Sequence, residues 1–476
     1  MVWSLIASTN GATQFANEFW ISTNTATADL GTLSDPYDGS TAAKFDARMS
    51  AMPANTAIHI IAGTYQTGGN AGWAAKSGQN ISGSGKDITI LHLTNGSPTS
   101  SYVVTCANPA TNVAVSDLTL DLGGSTNVNG AIDLTGYRHS IRRVKATNAV
   151  LTRGSSYYQI LIDSTGNGGP SDKNLVEECE VSVSPGQTPC CAISMLGSRS
   201  SPITGIITRN KVYLADNANS GNTSFLAYMV SNMCNSLIEG NYVLGANDGL
   251  LCYSGTNLII SHNQFRDVDY GLELTASNNV NISFCYNTIE LSSDTNYSSV
   301  GVHCDPSGVA TNLSVIGNTI KFNTTAGTTP YAFSGGTIAG LTFVNNSADS
   351  SMLNYVTGST GLNIYNNTDL QGNFLTSLNQ IEPPNGIVRK AISANYTATY
   401  ADRYIGVTGA LTVTLPNAVG YAGKEYIVAY ENGSGGNLTI TATSPNTING
   451  SSSVVFSLSG YSGKSIISDG ANWFSR

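Results

Sequence analysis

The stretch GLELTASNNVNISFCYNTIEL, Gly271 to Leu291, decides the fold. Leu272, Leu274, Val280, Ile282, Phe284 and Ile289 read as strand residues, yet asparagines interrupt them, and Asn is among the poorest strand formers. The conflict resolves once the stretch is set beside its neighbours, because a fixed recurrence every 20–50 residues marks a solenoid. Asparagine stands at the same place in RNKVYL, GNYVLG, HNQFRD, YNTIEL and GNTIKF, as Asn210, Asn241, Asn263, Asn287 and Asn318. VNNSAD and YNNTDL continue the series less regularly at Asn345 and Asn366, and Cys179 of ECEVSV fills the frame earlier. From Asn210 the steps are 31, 22, 24, 31, 27 and 21 residues.

A second frame opens with glycine: GAIDL at Gly130, GLLCY at Gly249, GLELT at Gly271 and GVHCD at Gly301. A third, NLIISH, NVNISF and NLSVIG, precedes the Asn motif. Each unit therefore holds three short strands joined by turns. The reading is all-β, a right-handed parallel β-helix whose coils stack at the strand spacing of roughly 4.8 Å. Asn tolerates left-handed backbone at a tight bend, and stacked amides hydrogen-bond along the pile. The asparagines belong at the corners.

Composition fits a folded body with a polar, weakly charged surface. Only 11% of the 476 residues are charged, against roughly 25% in an average soluble domain, while 41% are hydrophobic and Tyr occurs 23 times. The net charge of −9 argues against nucleic acid and anionic membranes as partners. No apolar run reaches the ~18–20 residues of a membrane span, and MVWSLIASTNGATQ lacks the basic and apolar regions of a secretion signal. The eight cysteines show neither a C-x-x-C nor a Cys/His metal spacing, so free thiols in a reducing cytosol are expected, with no metal and no cofactor.

At the N-terminal end, DPYDGSTAAKFDARMSAM (Asp35 to Met52) places Phe45, Met49 and Met52 on one helical face. A short helix there would cover the open end of the core, which a stacked array requires. A strand ending AGTY and the stretch ISGSGKDITIL follow. This order resembles the start of pectate-lyase-like β-helix proteins, most of all phage tailspikes and polysaccharide depolymerases. The likeness covers residues 35–380, after an N-terminal segment 1–34. IEPPNGIVRK (381–390) reads as a linker. Residues 391–476 alternate as a small antiparallel β-sandwich or barrel. Their ending, SDGANWF, resembles the terminal hairpin of modules at the ends of phage fibres, which implies a cap that assists trimerisation or binds sugar. Trp473 is expected in a core or interface.

In a coil so poor in charge, outward ionisable residues are informative. In the Gly frame, positions +1 and +3 point inward and position +2 outward, which aligns Leu251, Glu273 and His303 on successive coils. Position +4 aligns Tyr253, Thr275 and Asp305, with Asp248, Asp269 and Asp267 at the turns entering this face. Glu273 and Asp305 would lie roughly 8 Å apart, inside the ~6.5–9.5 Å of an inverting glycosidase. Glu273 is the candidate acid, Asp305 or Asp269 the base, His303 an orienting or tuning neighbour and Tyr253 a sugar platform, with Asp248 and Asp267 as further contacts. Arg142 and Arg143 of RHSIRRVK are candidate contacts for an acidic glycan, or the cation of a lyase, although strand-edge protection explains them as well. The acids of EECE, Glu177, Glu178 and Glu180, lack metal spacing.

The resemblance implies a homotrimeric tailspike-like protein of a virion. It would be made in the host cytoplasm, contact other tail or baseplate proteins, and bind and hydrolyse a bacterial surface polysaccharide. The alternatives are a fibre or adhesin that only binds glycan, and an extracellular bacterial lyase or epimerase.

Overall fold

The computed structural model describes residues 17–476 except 25–27, 95–101, 107–108, 124–128, 150–157, 166–170, 184–190, 215–224, 276–277, 293–298, 306–308, 323–330, 336–337, 350–352, 357–362, 371–388, 400–401, 420–422 and 432–434. The chain forms two units, Met1–Leu378 and Asn379–Arg476. Most of the expected N-terminal segment and nearly all of the expected linker fall outside the described residues.

The first unit is a parallel β-helix. Strands from Asn17–Ser22 to Thr368–Asp369 form one array of 33 in which strands pair in parallel with their equivalents on adjacent coils. Three lanes of inward residues show the register. Leu250 faces Leu272, Val302 and Phe333 in turn. Leu258 faces Ile282, Leu313 and Leu341, and Phe265 faces Ile289, Ile320 and Ala348. All are buried. One core thus runs along the solenoid axis, bounded by three sheet faces.

The short helix is Ala42–Ala51, capped by Thr41, whose hydroxyl accepts from the Lys44 N–H at 3.4 Å. Phe45, Met49 and Met52 are buried, and the Phe45 ring lies 5.4 Å from Tyr65 and 6.3 Å from Trp73. It is the one helix longer than a turn among the described residues, and none is long and apolar enough to cross a membrane.

In the second unit the sheets are mixed rather than antiparallel throughout. Successive strands from Arg389–Ile392 to Gly436–Ala442 alternate between a five-stranded and a four-stranded sheet, so same-sheet neighbours run parallel. Antiparallel pairing begins only where Ser453–Leu458 folds back on Gly436–Ala442 and Gly463–Ser468 and Trp473–Ser475 close the other sheet. Alternating polarity marks a half-buried strand but is blind to strand direction, which is why the sequence could not separate the two arrangements. The SDGANWF hairpin forms, with the Asp469 carboxylate accepting from the Ala471 and Asn472 N–H groups. Trp473 is fully buried, stacked obliquely on Tyr426 and donating from Nε1 to the Pro416 carbonyl at 3.1 Å.

The asparagines of the first unit form a buried column. From Asn210 through Asn241, Asn263, Asn287, Asn318, Asn346 and Asn367, each residue donates both its backbone N–H and its Nδ2 to the Oδ1 of the next, at 2.8–3.1 Å. The second Nδ2 hydrogen goes to a backbone carbonyl of the preceding coil, such as Ile238 O for Asn263. The Cys179 N–H starts the column on Asn210 Oδ1. Two expected members are corrected by one residue: Asn346 and Asn367 occupy the column, not Asn345 and Asn366. The displaced pair shows why. Left-handed backbone belongs to the residue before each column asparagine, at Glu178, Arg209, His262, Tyr286, Asn345 and Asn366, or at Gly240 and Gly317. The column asparagine is selected for its amide and its predecessor for the bend. A second, exposed ladder, Asn235–Asn257–Asn281–Asn312, runs by Nδ2 to Oδ1 bonds of 2.8–2.9 Å and does combine both roles, with every φ near +50°.

Replacing Asn263 by Ala strips the Asn241 backbone N–H and the Ile238 carbonyl of their side-chain partners in a water-free corner. At about 1–3 kcal/mol for each buried group left unpaired, the expected loss is roughly 3–5 kcal/mol in urea unfolding. Asn257→Gly, on the exposed ladder and compatible with its backbone, should cost under about 1 kcal/mol. Equal losses would remove the buried column from its structural role.

Candidate active site

The outward strip lies where strands Leu226–Ser231, Tyr242–Tyr253, Gln264–Thr275, Val300–Cys304 and Tyr331–Gly335 stack. Their register places Met229, Leu251, Glu273, His303 and Ser334 in one row. The flanking residues, Leu250, Leu272 and Val302 on one side and Cys252, Leu274 and Cys304 on the other, are buried. Strand alternation therefore aims Glu273 and His303 outward. The next outward row holds Ser231, Tyr253 and Thr275. Asp305 follows Cys304, its N–H donating to the Leu274 carbonyl at 2.9 Å. Tyr253 is 46% exposed.

Asp248 and Asp269 differ from expectation in setting. They sit inside unbroken twelve-residue strands, not at open turns, and are only 4% and 3% exposed. The corner is rounded without a loop because a glycine follows, directly after Asp248 and two residues after Asp269: a Cβ on Gly249 would meet the Phe265 ring at 2.6 Å, and one on Gly271 would meet the Gly301 carbonyl at 2.5 Å. Asp248 pairs laterally with Tyr270, and Asp269 accepts from Asn247 Nδ2 at 3.2 Å.

This burial sets the electrostatics. Desolvation pushes the Asp248 carboxyl well above its ordinary range, helped by the Glu273 charge, a hydrogen bond with Glu273 and the nearby Asp269. Asp248 is thus the member of the pair inclined to keep its proton, hydrogen-bonded to Glu273. Burial lowers the His303 pKa, opposed by Glu273, Asp305 and a Ser334 backbone hydrogen bond, and the ring lies 5.1 Å from that of Tyr270. The strip joins a proton-sharing carboxyl pair, a histidine inclined to neutrality and two tyrosines.

Three other candidates lie apart. Asp267 occupies a register shift between Arg266 and Val268 with φ +55°, and burial and then Glu290 raise its pKa. Arg142 and Arg143 lie on Ser140–Ala149, in a different stack from the Glu273 row. Arg142 pairs with Glu177 at 2.8 Å and Arg143 with Asp117 at 2.5 and 2.8 Å. The two charged runs neutralise each other: Arg209 also holds Glu177 and Glu178, while Lys86 and Lys145 hold Glu180.

A second carboxyl group on the same face was not anticipated. Asp133 stands in the Glu273 row, linked through Leu161, Ser194, Met229 and Leu251, five coils or roughly 24 Å away. Burial, then the Asp163 charge, raises it to about 6. Tyr102, in electrostatic contact with Asp133, Tyr158 and Asp163, is raised by burial. The signal was present in GAIDL but hidden by a one-residue offset. Gly130 pairs with Tyr102, and Ala131 takes the place that glycine holds in later coils. Among the described residues, no group of three or more His, Cys, Asp or Glu is placed to hold a metal ion. The seven described cysteines are free thiols.

No family model matches the chain, and no curated protein sequence does. Solved structures do match. The A-module of mannuronan C-5 epimerase AlgE4 from Azotobacter vinelandii is 14% identical, over 83% of this chain and 94% of its own, with a TM-score of 0.37. The tailspike of E. coli bacteriophage HK620, in complex with a hexasaccharide, is 12% identical over 88% and 81%, with a TM-score of 0.46. The Dettilon tailspike is 15% identical over 87% and 71%, with a TM-score of 0.45. The likeness is one of fold. The chain is structurally similar to parallel β-helix proteins that include phage tailspikes and epimerase A-modules.

The Asp248 proton gives a test by linkage. Its folded pKa is raised, so its stabilisation is complete below the ordinary value of 3.8 and is lost as pH climbs through the folded value. Asp248→Asn keeps a donor to Glu273 but cannot ionise. It should melt with the wild type near pH 4 and above it at pH 8, where the wild type has lost this contribution. A constant difference across this range would mean that Asp248 does not hold the proton.

Proposed function

We propose that the strip around Glu273 binds and hydrolyses a bacterial surface polysaccharide. The observation that carries this reading is the buried Asp248 acid hydrogen-bonded to Glu273, with Asp305 one coil further on the same face. The proton held on Asp248 passes through Glu273, the groove-facing member of the pair, to the glycosidic oxygen as the C–O bond breaks. Water attacks the anomeric carbon from the opposite side and loses its proton to Asp305. The separation of roughly 8 Å expected from strand spacing leaves room for that water and favours inversion. His303, beside Glu273 in the row and two residues before Asp305, positions the carboxylates, and Tyr253 offers an apolar ring face to the sugar.

Hydrolysis is favoured over elimination or epimerisation by charge. Removing the C5 proton of a uronide is eased by a cation at its carboxylate, and the described strip offers Asp248, Asp269, Glu273 and Asp305 with no Lys or Arg among them. The setting implied by the sequence resemblance, a trimeric spike on a virion, belongs to the same proposal.

Purified capsular and O-antigen polysaccharides, assayed for new reducing ends, test the reading. Glu273→Gln should lower kcat by ~10²–10⁴-fold, as loss of a general acid does, and leave glycan binding intact. Retained activity would overturn the site. An ultraviolet-absorbing unsaturated product would replace hydrolase by lyase, and binding without cleavage by the wild type would replace enzyme by adhesin.

A further inference from the structure

A cavity of about 260 Å³ opens in the first unit beside the Glu273 strip, at the edge where the strands of that face turn away. Lateral register explains its position. Leu196, Ser231 and Tyr253 stand in one row on successive coils. Ser198, Asn232 and Ser254, which come one or two residues after them, line the cavity. The Asn232 N–H donates to the Tyr253 carbonyl at 2.8 Å, so the cavity begins where the Tyr253 row ends.

Three oxygens at this cavity have bonding capacity to spare. Ser254 is only 9% exposed, with left-handed backbone at φ +58°, and its hydroxyl has no partner among the described residues. The Thr256 hydroxyl likewise has none. Asn232 commits both Nδ2 hydrogens, to the Gly197 carbonyl and to Ser231 Oγ at 3.0 Å each, which leaves Oδ1 as an open acceptor. Secluded polar groups are rarely left unpaired, and these border one small space. Pro202, Met233 and Cys234, a thiol whose pKa burial raises, add an apolar wall. Arg199 and Asn278 complete the lining, each with a contact of its own, and no carboxylate is among these residues.

The acid pair sets the direction of a bound chain, because acid and base of an inverting hydrolase stand on opposite sides of the sugar that reacts. Glu273 and Asp305 are one coil and two residues apart, and Tyr253 lies one coil before Glu273 and two residues further along. At ~3.3 Å per residue and ~4.8 Å per coil, a line crossing the acid–base axis at its midpoint runs over Tyr253. Prolonged to the turn, it meets the cavity roughly 13 Å from that midpoint, the reach of about three sugar rings. With Glu273 and Asp305 as the acid–base pair, on which this placement rests, we infer that the cavity is the outermost subsite of the strip and that the glycan crosses the coils obliquely. The ligand there is one pyranose unit of the polymer, about three units from the bond that breaks. Its hydroxyl rim meets Ser254, Thr256 and Asn232 Oδ1, and its C–H face meets the wall of Pro202 and Met233. The volume, below the ~300–1,000 Å³ of pockets for drug-sized ligands, suits a single ring.

The test uses full-length Glu273→Gln protein and fragments, graded by length, from partial acid hydrolysis of the capsular or O-antigen polysaccharide that the wild type cleaves. The dissociation constant should drop about tenfold, the worth of two neutral hydrogen bonds, at the length that first spans strip and cavity. Ser254→Gly suits the left-handed backbone, and Thr256→Val keeps the shape of the side chain. Added together to the Glu273→Gln protein, they should abolish that step. A step that survives both substitutions, or affinity that never steps with length, overturns the subsite and leaves the strip standing. Full cleavage by Glu273→Gln overturns the strip and, with it, the place given to the cavity along the chain. A wild type that binds no polysaccharide overturns both.

Discussion

Everything in the first unit depends on lateral register, and the buried asparagine column is what holds it. A parallel stack has no hairpin to fix the alignment of one strand on the next, and a slip of one residue would turn every core side chain outward. The column prevents this at a corner. Each amide is bonded to the one above it and to a carbonyl of the coil below, in a place that water does not reach. A shifted coil would leave several buried polar groups unpaired at once, a penalty larger than any single apolar contact offers in return. Loop length can then vary freely, which accounts for coils of 21 to 31 residues over one regular core.

Once register is fixed, a β-helix converts sequence into rows, and chemistry follows from which residues share a row. Glu273 meets Leu251 and His303 because of stacking, and it meets Asp248 because the strand turns the corner without a loop. The same corner removes water from Asp248. Proximity and desolvation, the two causes that part the pKa values of neighbouring carboxyls, therefore have one structural origin. Asp133 repeats the arrangement five coils away, again on a strand that pairs laterally with its neighbours along the same face.

How far this was legible in the sequence differed by level. The Gly frame placed Leu251, Glu273 and His303 in one row correctly, because Gly249, Gly271 and Gly301 share one steric demand, the absence of a Cβ against the core or the next coil. It failed at Gly130, where Ala131 meets that demand and the glycine is one residue early. The asparagine column was read correctly through Asn318 and then slipped by one, since in VNNSAD and YNNTDL both the bend residue and the column residue are asparagine. Identity alone cannot separate two roles filled by the same amino acid. Burial of Asp248 and Asp269 was illegible for another reason: aspartate close before a glycine signals a turn in most sequences, and only the continuity of the strand through the corner overrides it. The second unit was misread in direction, not in strand content, because pattern carries burial and not polarity.

The distribution of charge gives the strip its character. The chain has few ionisable groups, and on the N-terminal coils most are spent on one another: Arg142 and Arg209 on Glu177, Arg143 on Asp117, Lys86 and Lys145 on Glu180. Half-exposed pairs of this kind add little to stability, but they leave those coils electrically quiet. Among the described residues Asp248 and Glu273 make no ion pair with Lys or Arg, and burial together with the Glu273 charge favours a retained proton on Asp248. A protein selecting only for stability would replace Asp248 by a neutral residue, as Gly and Ala replace bulk elsewhere along the corner. Keeping an acid there works against the fold, and it is tolerated because the neighbouring column and core bind the coil on both sides. A desolvated acid between two well-bound coils is a cost that the fold carries at this corner.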